Sequence, residues 1–289
     1  VVYGHQPSAS TQNMPAARAL ARVVKIMCPG VKIMMTGTHP AALPERTLEE
    51  EWVDFVCDAE GPYTIRDTVE ALKTGLSKFD KVGNLWYKDD WGNTVQSPKE
   101  YPLIQDLDEE LPGIARELLP MEKYRAHNWH CFENLGARSP YASLHTTFGC
   151  PYKCSFCCIN APFGKASYRM FSAEYVAKEI DILVEKYGIR NIKFIDEMFV
   201  LNRQHVESIC DRLIERRYDL NIWAYARIDT TDRVDLRKMR KAGFRWLALG
   251  IESGSKHVRE SAEKKFRNKD IIEEVRKIQD EGLYVVGNY

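Results

Sequence analysis

The chain has 289 residues, 44% apolar and 28% charged, which is long enough to bury a core without disulfide staples and ordinary for a globular protein. Lys and Arg number 41, as do Asp and Glu, so no charge excess marks a nucleic-acid groove or an anionic membrane surface as the main partner. No apolar run reaches the roughly 18 residues of a membrane span and no charged-then-apolar leader opens the chain, which reads as a cytoplasmic protein of about two domains.

Val1 to Tyr3 reads as the end of a strand. No Met precedes it, and Leu283 to Val286 is apolar at the other end, so both ends read as cuts through a longer protein. Apolar spacing predicts a helix over 14–27, with Leu20, Val23, Val24 and Met27 inward, Asn13 as its cap and Pro15 in its first turn. A strand over 31–35 leads into a loop, Thr36-Gly37-Thr38-His39-Pro40. A short helix over 45–50, a strand over 53–57 and a helix over 62–74 follow, the last with Ile65, Val69 and Leu72 inward. Such alternation implies parallel pairing with crossover helices. Leu85–Tyr87 and Thr94–Gln96 flank a turn sequence, Asp89 to Asn93, and predict a hairpin. Pro98, Pro102, Pro112 and Pro120 punctuate residues 98–140, read as a linker wrapping a surface. A second alternating series predicts strands over 143–148, 190–196, 221–227, 245–251 and 283–289. Helices fall over 172–187, 203–218, 232–242 and 268–281, with Ser172, Asn202 and Asn268 as caps. The domain reading is 1–80, a hairpin and linker over 81–142, and 143–289, with function at the carboxyl ends of the strands.

Of eight cysteines, four fall within nine positions: Cys150, Cys154, Cys157 and Cys158. Cys28, Cys57, Cys131 and Cys210 are scattered and read as buried small hydrophobes. Cys150, Cys154 and Cys157 form C-x3-C-x2-C directly after the first strand of the second series. Structural zinc takes four ligands, and no second pair exists here. Three thiolates on one loop suit an iron–sulfur cluster, and three ligands for a four-iron cube leave one iron open. Cys158 is read as a non-ligand, because its neighbour Cys157 already faces the loop.

With Phe156, this segment resembles the C-x3-C-x-aromatic-C motif of the radical S-adenosylmethionine (SAM) superfamily. The resemblance implies a [4Fe-4S] cluster bound by Cys150, Cys154 and Cys157, whose open iron holds the amino and carboxylate groups of SAM. Reduction of the sulfonium then yields methionine and a 5′-deoxyadenosyl radical. It also implies SAM-contacting groups at later strand ends: Asp196 or Glu197, where the family often has Gly-Gly-Glu, then Arg227, Glu252 and Ser253. The bland readings are a helix-capping acid at 196–197 and a strand-end turn with Gly254 at positive φ.

The first half resembles cobalamin-binding domains fused to such enzymes. Thr36 to Pro40 is similar to their Gly-Gly-x-His-Pro loop, and Cys57 to Gly61 to their Gly-Glu-Gly-Glu loop. Pro7 to Ser10 stands where a Ser-containing loop occurs. The resemblance thus implies cobalamin contacts at Ser8, Ser10, Gly37, His39, Pro40, Glu60 and Gly61. Thr36 and Pro62 depart from the pattern. The family's cobalt-ligating His belongs to Asp-x-His-x-x-Gly, which this sequence lacks, so neither His5 nor His39 is given that role. The expected fold class is α/β, a partial Rossmann-like (flavodoxin-like) cobalamin domain followed by a partial (β/α)6 radical SAM barrel. The expected function is cobalamin-dependent methyl transfer to an unactivated carbon of a small-molecule substrate. A low-potential flavodoxin or ferredoxin would supply the electron. The alternatives are radical cyclisation, oxidation or rearrangement, or a non-enzymatic iron–sulfur module.

Overall fold

The computed structural model describes residues 10–75, 79–111, 113–264, 266 and 270–289. They group into two compact units: residues up to 105 with 150–152 and 156–167, and residues 106–149, 153–155 and 168–289. The strand expected at Val1 to Tyr3 lies outside the described residues, as does Asn268. Among the described residues no helix is long and apolar enough to cross a membrane.

The first unit opens with α1 (Ser10–Met27). It starts earlier than the spacing predicts, so Asn13 and Pro15 lie inside it rather than at its cap and first turn. Its inner face is also different. Ala17 and Ala21 are buried, with Met14 and Val24 beside them, whereas Leu20, Val23 and Met27 are exposed. The alanines carry the contact because a side chain without bulk lets the helix approach Ile33 and Met35 closely. β1 (Met34–Met35) leads not into a loop but into α2 (Thr38–Ala42), followed by α3 (Pro44–Glu50) and β2 (Phe55–Cys57). In α4 (Pro62–Lys73) the buried positions are Thr64, Thr68 and Ala71, while Ile65 and Val69 face solvent. Threonines tolerate this because Thr64 donates to Gly83 O at 2.8 Å and Thr68 to Thr64 O at 2.6 Å. The predicted hairpin is β3 (Leu85–Lys88) and β4 (Thr94–Gln96). It completes a sheet of order β1-β2-β3-β4, with β1 and β2 parallel and β3 antiparallel to β2.

The second unit begins with α5 (Leu107–Glu110) and runs through short 3-10 turns to β5 (Tyr141–Leu144). β6 (Thr147–Phe148) and β7 (Arg169–Met170) form a two-stranded ribbon, and α6 (Ala173–Glu185) follows. Then come β8 (Asn191–Phe194), α7 (Arg203–Arg216), β9 (Asn221–Arg227), α8 (Leu236–Lys241), β10 (Phe244–Gly250), α9 (Lys256–Ser261), α10 (Ile271–Asp280) and β11 (Tyr284–Asn288). α9 is an addition to the predicted series. Ser172 and Asn202 cap α6 and α7 as expected, each accepting a main-chain N–H at 3.0 Å, and Asp270 caps α10. Among the described residues the five strands β11-β10-β9-β8-β5 are parallel and adjacent in chain order. All carboxyl ends therefore lie along one edge. The outward residues Ile192, Phe194, Ile222, Ala224, Phe244, Leu247 and Leu249 are fully buried, as are Ile180 and Leu183 of α6 and Ile209 and Cys210 of α7. Cys57, Cys131 and Cys210 are buried as predicted, but Cys28, just past α1, is exposed.

Candidate functional site

Cys150, Cys154 and Cys157 lie on the irregular segment between β6 and β7. Gly149, left-handed at φ +85°, turns the chain out of β6, and its N–H donates to Glu197 Oε2 at 3.1 Å. Asn160 ties the segment to itself: Oδ1 accepts from Cys150 N–H at 3.3 Å and Nδ2 donates to Tyr152 O at 3.2 Å. Ser155 N–H donates to Ala262 O at 3.2 Å, after α9. All four clustered cysteines, Cys158 included, are half-buried, and Phe156 is mostly exposed. Among the described residues no three His, Cys, Asp or Glu side chains close on one metal ion. A four-iron cube holds its thiolates farther apart than a single ion does, and three soft donors on one segment fit such a cube.

The acids after β8 differ in their partners. Asp196 is fully buried. Its Oδ1 accepts from Thr146 N–H at 2.6 Å and Thr147 N–H at 3.2 Å, and its Oδ2 accepts from the Thr146 hydroxyl. His205 Nε2 lies 3.2 Å from that hydroxyl. Burial pushes the Asp196 carboxyl up to about 6, against the pull of these donors. Asp196 thus fixes the residues that lead into the cysteine segment. Glu197 is half-buried, held by Gly149, and pushed up to about 7 by burial, with the Asp196 charge adding to the rise.

Arg227, buried at the end of β9, gives Nε and Nη2 to the Asp229 carboxylate at 2.8 and 3.1 Å. That fork aims Nη1 at Cys154 Sγ, 3.9 Å away, and sets positive charge against a sulfur that is negative when it binds iron. The Phe266 ring lies between the Arg227 and Arg259 guanidinium groups, at 5.4 and 5.3 Å. After β10 the left-handed residue is Glu252, at φ +63°, and not Gly254. Glu252 Oε1 accepts from the buried Lys264 Nζ at 2.6 Å. Gly250 lets this ion pair lie close to the strand, since a β-carbon on it would come within 2.5 Å of Lys264 Nζ. Ser253 Oγ accepts from Ser255 N–H at 3.0 Å, which makes it a turn residue in this structure.

In the first unit, β1 and β2 each lead into a glycine with positive φ: Gly37 at +117° before α2 and Gly61 at +104° before α4. A β-carbon on Gly61 would lie 3.9 Å from Thr36 Cγ2, so the two loops run side by side. Pro40 is buried and His39 half-buried, with burial pulling its pKa below the ordinary value. Glu60 Oε2 accepts from Ile104 N–H at 2.8 Å. Ser10 opens α1, and Ser8 lies outside the described residues.

Sequence reasoning missed Thr146, Asn160, Asp229 and Lys264. Only Asp229 carried a signal, an acid two residues beyond an Arg at a strand end.

The profile of the radical SAM superfamily matches residues 144–289, and the chain belongs to that superfamily. Membership implies a [4Fe-4S] cluster and SAM as cofactors. The chain is 31% identical over 283 residues to an uncharacterized methyltransferase of Pyrococcus horikoshii, covering 98% of this chain and 58% of that protein. In fold it is similar to OxsB, a cobalamin-dependent SAM radical enzyme solved with aqua-cobalamin and SAM bound. The TM-score is 0.71 at 22% identity, over 96% of this chain and 39% of that one. It is also similar to the radical SAM methyltransferase TsrM of Kitasatospora setae, solved with cobalamin and a [4Fe-4S] cluster. There the TM-score is 0.68 at 15% identity, over 95% of this chain and 52% of that one. The chain therefore spans a little over half the length of the Pyrococcus relative.

Proposed function

We propose that the complete protein is a cobalamin-dependent radical SAM methyltransferase acting on an unactivated carbon of a small-molecule substrate. In this reading the first unit is part of a Rossmann-like, flavodoxin-like cobalamin domain and the second is part of a (β/α)6 barrel. A low-potential flavodoxin or ferredoxin supplies electrons. The observation that carries the reading is Arg227 Nη1, at the carboxyl end of β9, lying 3.9 Å from Cys154 Sγ. Cys150, Cys154 and Cys157 would hold the cluster, and Glu197, Arg227 and Glu252 stand at the strand ends where SAM would lie. Bound there, the cluster would supply the electron for reductive cleavage of the SAM sulfonium. The protein's part is to position: Asp196 fixes the entry to the cysteine segment, and Lys264 orients the Glu252 carboxylate. The adjacent loops at Thr36 to Pro40 and Ala59 to Gly61, following parallel neighbours, offer a backbone-lined sheet edge for the cobalamin that would supply the methyl group.

The test is anaerobic reconstitution of the full-length protein with iron, sulfide and hydroxocobalamin. Dithionite and SAM should then yield 5′-deoxyadenosine, and cobalamin should bind one per chain. Failure to form 5′-deoxyadenosine overturns the radical reading. Deoxyadenosine formation with no cobalamin bound overturns only the methyl-transfer half.

A further inference from the structure

Lys193 is among the largest fully buried side chains of the second unit, 1% exposed in the middle of β8. Strand alternation puts it on the inner face of the sheet, opposite the helix-facing Ile192 and Phe194. Its Nζ lies 5.3 Å from the Trp223 ring and 5.2 Å from the Tyr225 ring. Among the described residues no carboxylate pairs with it. Burial alone pulls its pKa down to about 8, with no acid nearby to hold it up. Two ring faces offset only part of what an ammonium loses on leaving water. The Trp223 indole N–H is buried beside the Tyr225 hydroxyl. His130 is fully buried, and the Lys193 charge helps to keep it neutral.

The place is also reachable. Lys193 pairs in register with Ser143 on β5 and Trp223 on β9. Ser143 and Tyr225, on either side of it, are half-exposed. Arg227 stands four positions beyond Trp223 on β9, so Lys193 lies roughly 13 Å below the level of Arg227 at about 3.3 Å per residue. Trp223 stacks on Trp246 at 5.6 Å, and Trp246 meets Tyr284 at 4.6 Å, which makes the wall around the amine flat and aromatic.

We propose that Lys193 is a substrate-anchoring residue, pairing with a carboxylate or phosphate oxyanion attached to an apolar or aromatic body that lies against Trp223 and Tyr225. Calling that molecule the substrate rests on the function proposed above, whereas its binding does not. Oxyanion recognition by a lone buried amine beside an N–H donor is point-charge recognition, and it needs the amine protonated.

The test is calorimetric titration of full-length, cluster-loaded protein with benzoate, phenyl phosphate and uncharged benzamide, without SAM or reductant. At least one anion should bind tenfold or more tightly than benzamide, and which one does so distinguishes carboxylate from phosphate. Lys193→Met should lose that preference at unchanged iron content and Lys193→Arg should restore it. In the wild type the preference should fall as pH rises past about 8. The facing groups His130, Trp223, Tyr225 and Ser143 keep their charge from pH 7 to 9. Equal binding of anions and benzamide by the wild type overturns the proposal, as does an undiminished preference in Lys193→Met. Should Lys193→Met not fold, the wild-type pH profile decides alone, and a flat profile overturns it. Because the readout is binding without turnover, failure of methyl transfer would leave this result standing.

Discussion

Asp196 is a fully buried carboxylate held by donors of its own chain. A carboxylate removed from water is tolerated only where donors surround it. Asp196 has three, from Thr146 N–H, Thr147 N–H and the Thr146 hydroxyl. Oδ1 takes both amides, so Asp196→Asn keeps those bonds through its carbonyl oxygen and donates from Nδ2 to a hydroxyl free to rotate. Asp196→Ala leaves buried donors unmet, at about 1–3 kcal/mol each. The expected outcome is that urea unfolding shows Asp196→Ala less stable by roughly 3 kcal/mol or more, and Asp196→Asn by at most about 1 kcal/mol. SAM affinity should survive in Asp196→Asn within a few fold. A large loss of SAM binding in a folded Asp196→Asn protein would mean that the carboxylate grips SAM directly.

The Pro-rich stretch ahead of β5 is anchored by a buried ion pair. Arg116, 4% exposed in a 3-10 turn, gives Nη1 to Glu179 Oε2 on α6. Removing one partner of such a pair strands a buried charge and costs about 3–5 kcal/mol, whereas replacing both by apolar side chains is often near neutral. Glu179→Leu and Arg116→Met should each be strongly destabilising, and the double variant should recover at least half of the summed loss in urea unfolding. Additive losses would show that the pair does not hold the stretch. This anchor was not legible in the sequence, because its partners are 63 positions apart. The parallel strands were legible: β8, β9 and β10 fall within a residue or two of the expected spans, since strands buried on both faces read as apolar runs between caps. The inward stripes of α1 and α4 were not. Periodicity marks a stripe, but Ala17, Ala21, Thr64 and Thr68 pack inward without standing out as apolar. The site divides in the same way. Cys150, Cys154, Cys157 and the acids after β8 announce themselves locally, whereas Asn160 and Lys264 become meaningful only through Cys150, Gly250 and Glu252, which the fold brings beside them.

The last test needs the whole protein, because this chain spans 58% of the Pyrococcus relative's length and the cluster must be counted per complete chain. Cys150, Cys154, Cys157 and Cys158 are alike in exposure, so accessibility does not single out the ligands. Spacing does: Cys150, Cys154 and Cys157 form C-x3-C-x2-C, and Cys158 falls outside that pattern. The local bonds point the same way. The Cys150 N–H is tied to Asn160, Cys154 has Arg227 against its sulfur, and Cys158 contributes its main-chain carbonyl, which accepts from Ala161 N–H at 3.0 Å to start the next turn. Replacing Cys150, Cys154 or Cys157 by Ala should therefore abolish the brown absorbance and reduce bound iron to a small fraction of the wild type. Cys158→Ala should retain close to four irons per chain and the ability to cleave SAM. Iron and acid-labile sulfide analysis after identical anaerobic reconstitution measures this, with thermal melting to show that each variant is folded. Loss of the cluster from a folded Cys158→Ala protein would make Cys158 the fourth ligand, close the open iron, and remove the position at which SAM has to bind.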